Sequence, residues 1–450
     1  MKVVLALLPL VLVAAAPAQT AAAPAAARNV VVILCDDAGY ADFGFQAQPS
    51  ADVAPLTPQI DRIAREGVRF TDAYTSGCVC SPTRAGLLTG RYQQRFGHER
   101  NIPQGYQKGG LSLDERTVAD RMHDAGRATG LVGKWHLGYP PEYHPNRRGF
   151  DEFFGFLMGA RAYRPLENPI PDRALQRNGE RQPEGGYVTD RLGDAAVEFI
   201  GRHAKERFFL YVAFNAVHAP LQPASGDLEK VAHIEPQRRR NYAGLMVGLD
   251  RSVGRVLDAL EEHGLVEDTL VVFTNDNGGQ TQTGANNTPL RGRKAQLWEG
   301  GIRVPMAMRW PGRIPANSVV DDPVITLDIL PTTLAACGVA LDPDWRLDGV
   351  DLGPRIQGAV PSLAERTLFW RSQGSKGPVA ARRGDWKLLA RAASPKGDDE
   401  GEPTAAAPQL FDLRKDLGER DDRAAAEPER CKAMLAEIAA FEAQLVEPRW

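Results

Sequence analysis

Residues Asn29–Asp37 read NVVVILCDD. Asn29 to Leu34 is a short β-branched run of the kind that fills a strand buried on both faces. Directly past Cys35 stand two carboxylates, Asp36 and Asp37. The pattern returns at Thr269 to Thr274 (TLVVFT), which leads through Asn275 into Asp276 and Asn277. Between these two runs, helical periodicity and apolar stretches alternate. Helices are predicted at Pro58 to Glu66, Asp114 to Ala125, Asp190 to Ala204 and Asn241 to His263, the last ending at Gly264. Further apolar runs lie at Ala128 to Val132 and Arg207 to Phe214. Such alternation predicts an α/β fold: a large, mostly parallel sheet sandwiched by helices. Polar functional groups then gather at the carboxyl ends of the strands.

Working outward, the texture changes after about Pro343. Short strands are predicted at Arg366 to Arg371, Pro378 to Arg382, Trp386 to Ala390 and Gln409 to Leu413, with a turn at Arg383-Gly384-Asp385. A loop rich in Gly, Pro and Ala spans Pro395 to Pro408, and a helix spans about Glu427 to Val446. This part reads as a smaller C-terminal antiparallel sheet plus helix. At the other end, Lys2, the apolar run Val3 to Ala16 and Ala16-Pro17-Ala18 have the layout of a secretory signal. The run is shorter than the roughly 20 residues of a membrane span. The predicted divisions are a signal peptide at 1–18, a linker at 19–28, a catalytic domain at 29–342 and a C-terminal subdomain at 343–450, in a secreted or periplasmic protein.

Composition removes other classes. Of 450 residues, 43% are hydrophobic and 25% charged, which excludes a disordered or fibrous chain. The formal charge of -3 gives no electrostatic case for nucleic acid. Five cysteines (Cys35, Cys78, Cys80, Cys337, Cys431) are too few for a disulfide scaffold. Their odd number leaves at least one thiol unpaired or modified in an oxidising compartment.

Five constellations carry chemistry, and each has a plainer reading. Asp36-Asp37 and Asp276-Asn277 offer hard oxygen ligands for Ca²⁺ or Mg²⁺, although Asp and Asn also cap helices and turns. Cys80 opens CSPTRAGLLTG (Cys80–Gly90) with Pro82 and Arg84 following. A helix start there favours anions and lowers a thiol pKa, unless Cys80 is simply buried. Lys134 and His136 in GKWHLG can face one pocket, or be a surface lysine and a cap. His218 in NAVHAP sits just past an apolar run, where a lone histidine is commonly a satisfied loop residue. Lys294 lies in a basic stretch, Pro289 to Lys294, that binds an anion or is merely solvated. Singly the plain readings prevail. Together, a metal pair, a second pair, a nucleophile, two lysines and two histidines all fall beside strand ends.

In order and spacing, these blocks resemble the type I sulfatases of the alkaline-phosphatase-like superfamily. Cys80–Gly90 matches their C-x-P-x-R-x4-T-G signature at every fixed position. ILCDDAGYADFG (Ile33–Gly44), GKWHLG (Gly133–Gly138), GFDEFFG (Gly149–Gly155), NDNGG (Asn275–Gly279), EGGIRVP (Glu299–Pro305) and LFDLRKDLGE (Leu410–Glu419) resemble the family's other blocks. The general look is of arylsulfatases and N-acetylgalactosamine-6-sulfatase-like members. The resemblance implies that a formylglycine-generating enzyme oxidises Cys80 to Cα-formylglycine before folding, which accounts for an unpaired thiol. It implies one Ca²⁺ ion held by Asp36, Asp37, Asp276 and Asn277, with the modified Cys80 touching it. Arg84 would hold the formylglycine hydrate, Lys134 and Lys294 the sulfate oxygens. His136 and His218 would move protons. Cys35, beside the first metal pair, is given no role beyond a buried small apolar residue.

The implied chemistry suits these residue types. One hydroxyl of the hydrated aldehyde attacks sulfur while lysines and cation stabilise the oxygens, and His218, with Lys294, protonates the leaving oxygen. His136 then deprotonates the second hydroxyl, expelling sulfate. The expected activity is hydrolysis of sulfate esters, on sulfated carbohydrates first and aryl sulfates as surrogates. The rival readings are a phosphate or phosphonate ester hydrolase of the same superfamily and a non-catalytic protein that binds sulfated glycans. Phe156 to Tyr187 and Leu221 to Arg240 are predicted to shape the leaving-group pocket, with Arg161, Tyr163, Arg164, Arg173 and Arg177 available to an acidic sugar.

Overall fold

The computed structural model describes residues 26–391 and 407–450. The expected signal peptide, most of the expected linker and residues 395–406 of the expected C-terminal loop lie outside them. Five strands form the centre of a ten-stranded sheet: β1 (Asn29–Cys35), β2 (Ala128–Lys134), β3 (Glu152–Phe156), β4 (Phe208–Ala213) and β5 (Thr269–Asn275). They lie side by side in the order β5-β1-β4-β2-β3 and are all parallel. Beyond β5 the direction reverses at β6 (Met306–Arg309), followed by Val68–Phe70 and Ser318–Val320. Beyond β3 the sheet ends in a hairpin of Gln176–Arg177 and Glu180–Arg181.

Every residue of β1 is buried, because its two faces feed two different cores. Val31, Ile33 and Cys35 point one way, Val30, Val32 and Leu34 the other, as strand pleating requires. On the first face lie helices α1 (Pro58–Arg65), α4 (Val188–Arg202) and α5 (Gln237–Glu262), through Ile60, Leu192, Leu249 and their neighbours. On the second lie α2 (Cys80–Thr89), α3 (Val118–Asp124) and the helix Ile329–Ala336. Three helices start away from their expected positions, α4 by two residues, at Val188 rather than Asp190. α3 begins at Val118 rather than Asp114, because Thr117 and Asp120 cap each other's backbone N–H groups and fix the first turn there. α5 begins at Gln237, four residues before the expected Asn241. Its first turn is held instead by Arg239, which pairs with Asp42 and Asp52.

Strands β7 (Thr367–Arg371), β8 (Val379–Arg383), β9 (Trp386–Ala390) and β10 (Gln409–Asp412) make a separate antiparallel sheet in sequence order. Helix α7 (Pro428–Glu442) covers one face through Met434 and Ile438. The other face, carrying Trp370, Leu389 and Phe411, packs on Tyr74, Trp298 and Ile302 of the main body. Charges cross this joint. Lys387 of β9 lies 3.0 Å from Glu299, the first residue of the short helix α6 (Glu299–Ile302), and 2.8 Å from Glu419. All three side chains are fully buried. Glu419 also accepts the backbone N–H of Glu299 at 2.7 Å, and Tyr74 donates to Glu299 at 2.6 Å. Among the described residues, no helix is long and apolar enough to cross a membrane.

Candidate active site

The register of β1 on β5 sets Cys35 opposite Asn275, so Asp36 and Asp276 leave the sheet side by side. Two like carboxylates at this spacing need cations. Arg84, one turn into α2, donates to Asp276 Oδ2 at 2.7 Å and lies 3.4 Å from Asp36 Oδ2. Lys134, the last residue of β2, lies 2.5 Å from Asp36 Oδ2. These four side chains have no exposed area. Asp37 turns the chain in the left-handed region at φ 65°, a conformation Asp tolerates better than most residues. Its carboxylate accepts from Asn277 Nδ2 at 2.8 Å and lies 2.7 Å from Lys294 Nζ and 3.6 Å from His218 Nε2.

Cys80 is the first residue of α2, with its sulfur 3.7 Å from Asp36 Oδ1 and 3.3 Å from Lys294 Nζ. Asp36, Asp37, Cys80 and His218 offer ligand atoms all within 4.8 Å of one another. Asp276 Oδ1 and Asn277 Oδ1 are buried with no hydrogen-bond partner. An orphaned buried acceptor is costly, and a divalent cation relieves it. The donor set of carboxylates plus an amide oxygen fits a hard ion such as Ca²⁺. The structure therefore brings together every expected site residue: Asp36, Asp37, Cys80, Arg84, Lys134, His136, His218, Asp276, Asn277 and Lys294.

The electrostatics separate the two inner carboxyls. Burial works to raise Asp36, but Lys134, His218 and Arg84 outweigh it and hold Asp36 well below the usual carboxylate range. Asp276 is pushed up, by burial first and the neighbouring Asp36 second. The expectation that the helix start lowers the Cys80 thiol does not hold. Burial, with Asp276 adding to it, pushes that thiol up to about 12 against the opposing pull of Lys134 and Lys294. His136 is held well below an ordinary imidazole by burial, then by Lys134 and Arg84, and stays neutral.

Sequence reasoning missed His98. Ser81 Oγ donates to the carbonyl of His136 at 2.6 Å and lies 2.6 Å from His98 Nε2. Ser81 has one proton and spends it on that carbonyl, so Nε2 of the neutral His98 is the donor to Ser81. Burial pushes His98 down to about 3, which keeps it in that neutral form. Asn101 Oδ1 accepts the Ser81 N–H at 3.0 Å. His98 and Asn101 thereby fix the residue next to Cys80 and the backbone of His136, itself in the left-handed region at φ 60°. The other side of the His136 ring abuts Gly159, where a Cβ would lie 2.4 Å from Cε1. Nothing in FGHERN marks these roles, because they depend on tertiary placement alone.

The pocket residues need correction. Tyr163 is fully buried, and its hydroxyl, with one proton to give, lies 2.9 and 2.7 Å from the carbonyls of Asn215 and His218, so it supports the His218 loop rather than a sugar. Arg161 is buried against Glu184, and Arg177 pairs with Glu198 over the ring of Phe154. Burial removes Arg161 from the pocket, whereas Arg177 stays partly exposed. Cys35 is buried, as expected, with its sulfur 3.3 Å from Asn275 Oδ1. No disulfide links the five cysteines.

A family model described as Sulfatase matches residues 28–339. The chain is 34% identical to the N-acetylgalactosamine-6-sulfatase of Canis lupus familiaris over 388 residues, covering 80% of this chain and 72% of that one. It is 34% identical to arylsulfatase A of Homo sapiens over 466 residues, covering 93% and 88%. Among solved structures it resembles Ps i-CgsB, determined in complex with k-i-k-neocarrahexaose. That likeness has a TM-score of 0.86 and 34% identity and covers 94% of each chain.

Proposed function

Because the chain belongs to the sulfatase family and is a sulfuric ester hydrolase, we propose that it acts on sulfated carbohydrates through one Ca²⁺ ion and a formylglycine formed from Cys80. The observation that carries this reading is the pair of orphaned oxygens, Asp276 Oδ1 and Asn277 Oδ1, beside the cluster of Asp36, Asp37 and Cys80. Asp36, Asp37, Asp276 and Asn277 would hold the ion, which supplies Lewis-acid charge to the sulfate oxygens. The hydrated aldehyde at position 80 would supply an oxygen nucleophile.

The chain's own groups do the rest. Arg84 spends its guanidinium on Asp276 Oδ2, Asp36 and the Lys134 carbonyl, and so holds the carboxylate layer under Cys80. Lys294, 3.3 Å from the Cys80 sulfur, and Lys134 supply positive charge to the transferring group. His218 Nδ1 faces the Ala219 carbonyl at 2.6 Å, and a carbonyl only accepts, so Nδ1 carries a proton. Its Nε2 is left toward Asp37 and the opening, where a protonated imidazole donates to the leaving oxygen. His136, kept neutral, is suited to take a proton from the hydrate.

Every residue of the CSPTR signature is buried in α2. A maturing enzyme would therefore read it before folding, consistent with a formylglycine-generating enzyme acting on the extended chain. Export to the periplasm or the exterior, read from residues 1–18, suits a polymeric sulfated substrate, and the oligosaccharide complex of Ps i-CgsB supports that substrate class. The test is mass spectrometry of the Cys80 peptide together with turnover of an aryl sulfate. The expected result is an aldehyde at position 80, and loss of nearly all turnover in Cys80→Ala. Wild-type rates in Cys80→Ala would overturn the reading.

A further inference from the structure

Outside the Cys80 cluster, a trough of about 960 Å³ runs along the β3 edge of the main sheet. That is at the upper end of the roughly 300–1,000 Å³ of ordinary ligand sites. One wall is the turn carrying His144, Asn146 and Arg147. The other is the Gln176–Arg181 hairpin. Hydrogen bonds link the trough's lining to segments of the active site at two places. Leu157, which lines it, accepts the backbone N–H of His136 at 3.0 Å, and its own N–H binds the carbonyl of Asp172, also in the lining. Tyr139, on the same wall, donates to the carbonyl of Ile102, the neighbour of the Asn101 that holds Ser81.

Its charges are not self-satisfied. Arg147 and Arg181 are exposed, and neither guanidinium has a side-chain partner, whereas most arginines near the site are paired. Of the two acids in the lining, Asp151 is already engaged by Thr129 and His123, and burial pushes Asp172 up from the ordinary carboxylate value. His144 is held down by burial, and then by Arg147, and is bound to Gln176 as a neutral ring. The lining thus combines two free guanidiniums with amides and a tyrosine. Paired planar cations suit sulfate or carboxylate groups, and amides and aromatic rings suit sugar hydroxyls and faces.

We propose that this trough binds the continuation of a sulfated saccharide chain, with Arg147 and Arg181 contacting anionic groups on units that do not react. The inference rests on the sulfated-carbohydrate reading and adds the path the polymer takes. The reacting ester would lie at Cys80, and the chain would run past Tyr139 and Leu157 down the β3 edge.

The test uses the double variant Arg147→Ala/Arg181→Ala, two exposed positions outside the catalytic cluster. Kinetics are measured on 4-nitrophenyl sulfate and on sulfated hexasaccharides of a galactan and of a glycosaminoglycan. Binding of the same hexasaccharides is titrated calorimetrically in a Cys80→Ala background. The expected result is a roughly tenfold or greater rise in KM for a hexasaccharide with kcat nearly kept, a matching loss of affinity in the titration, and unchanged constants on the aryl sulfate. An unchanged hexasaccharide affinity, an equal effect on the aryl sulfate, or no binding of either hexasaccharide by a protein that turns over the aryl sulfate would overturn the trough. Failure of the wild type on every sulfate ester would instead overturn the functional reading, while the titration still decides the trough.

Discussion

The amino group of Lys294 lies 2.7 Å from Asp37 Oδ1 and 3.3 Å from the sulfur of Cys80. One cation therefore touches both a metal-ligand candidate and the position proposed to react. Lys294→Ala removes a positive group from the transferring oxygens while leaving the cores intact. The expected loss in kcat on an aryl sulfate is roughly 10²–10³-fold, with little change in melting temperature. A variant within a factor of two of wild type would show that Lys294 serves only to pair with Asp37.

Removing the divalent ion should leave Asp36, Asp37 and Asp276 crowded around one another. Treatment with a chelator is expected to abolish turnover and lower the melting temperature, and added Ca²⁺ to restore both. Asp276→Asn, which keeps an oxygen but removes the charge that Arg84 grips, should weaken Ca²⁺ binding in calorimetry. Full activity after exhaustive chelation would contradict the assignment of these oxygens.

His98 acts through Ser81, and its variants should separate positioning from packing. His98→Gln can still donate to Ser81, whereas His98→Leu cannot. The expected order of kcat is wild type, then Gln, then Leu, the last down roughly 10–100-fold. Equal losses in both variants would assign His98 to packing alone.

The same residue makes a pH prediction. Its folded value of about 3 lies far below the 6.5 of a free imidazole. Between these values the unfolded chain binds a proton that the folded chain refuses. The stability contributed by neutral His98 is therefore full above about 6.5 and is lost as pH falls toward about 3. Denaturant unfolding of wild type and His98→Gln at about pH 5 and about pH 7 should show a shallower acid-side decline in the variant. Parallel declines would contradict this assignment.

The buried triad of Lys387, Glu299 and Glu419 predicts a pattern of damage and repair. Lys387→Met strips the cation from two buried carboxylates and should cost about 3–5 kcal/mol. Combining it with Glu419→Gln neutralises one of them while keeping an acceptor for the Glu299 N–H, so part of the stability should return. Damage here reaches the site, because Gly301 of α6 accepts the N–H of Gly278, next to Asn277, at 2.9 Å. Additive losses in the double variant would contradict the coupling.

Much of the site was legible because its residues follow directly on buried strands. Asp36, Asp276 and Lys134 sit at positions fixed by strand length and register, and a hydrophobic run announces both. Cys80 and Arg84 were legible through their spacing on one helix. The thiol pKa was not, because the helix terminus is visible in sequence while burial and the opposing Asp276 are not. Likewise Arg161 and Tyr163 read as surface groups in a polar stretch, yet Glu184 and two backbone carbonyls draw them inward. The Lys387–Glu299–Glu419 contact joins segments distant in the chain, and no local pattern encodes it.

All five residues from Cys80 to Arg84 are sealed inside the first turns of α2. In the proposed maturation, each molecule's competence is consequently decided during synthesis and cannot be altered once folding is complete. A purified batch is then a frozen mixture of competent and silent copies, whose proportion reflects the producing cell. Rates divided by protein mass would compare hosts rather than variants, and counting aldehyde-bearing chains supplies the proper denominator.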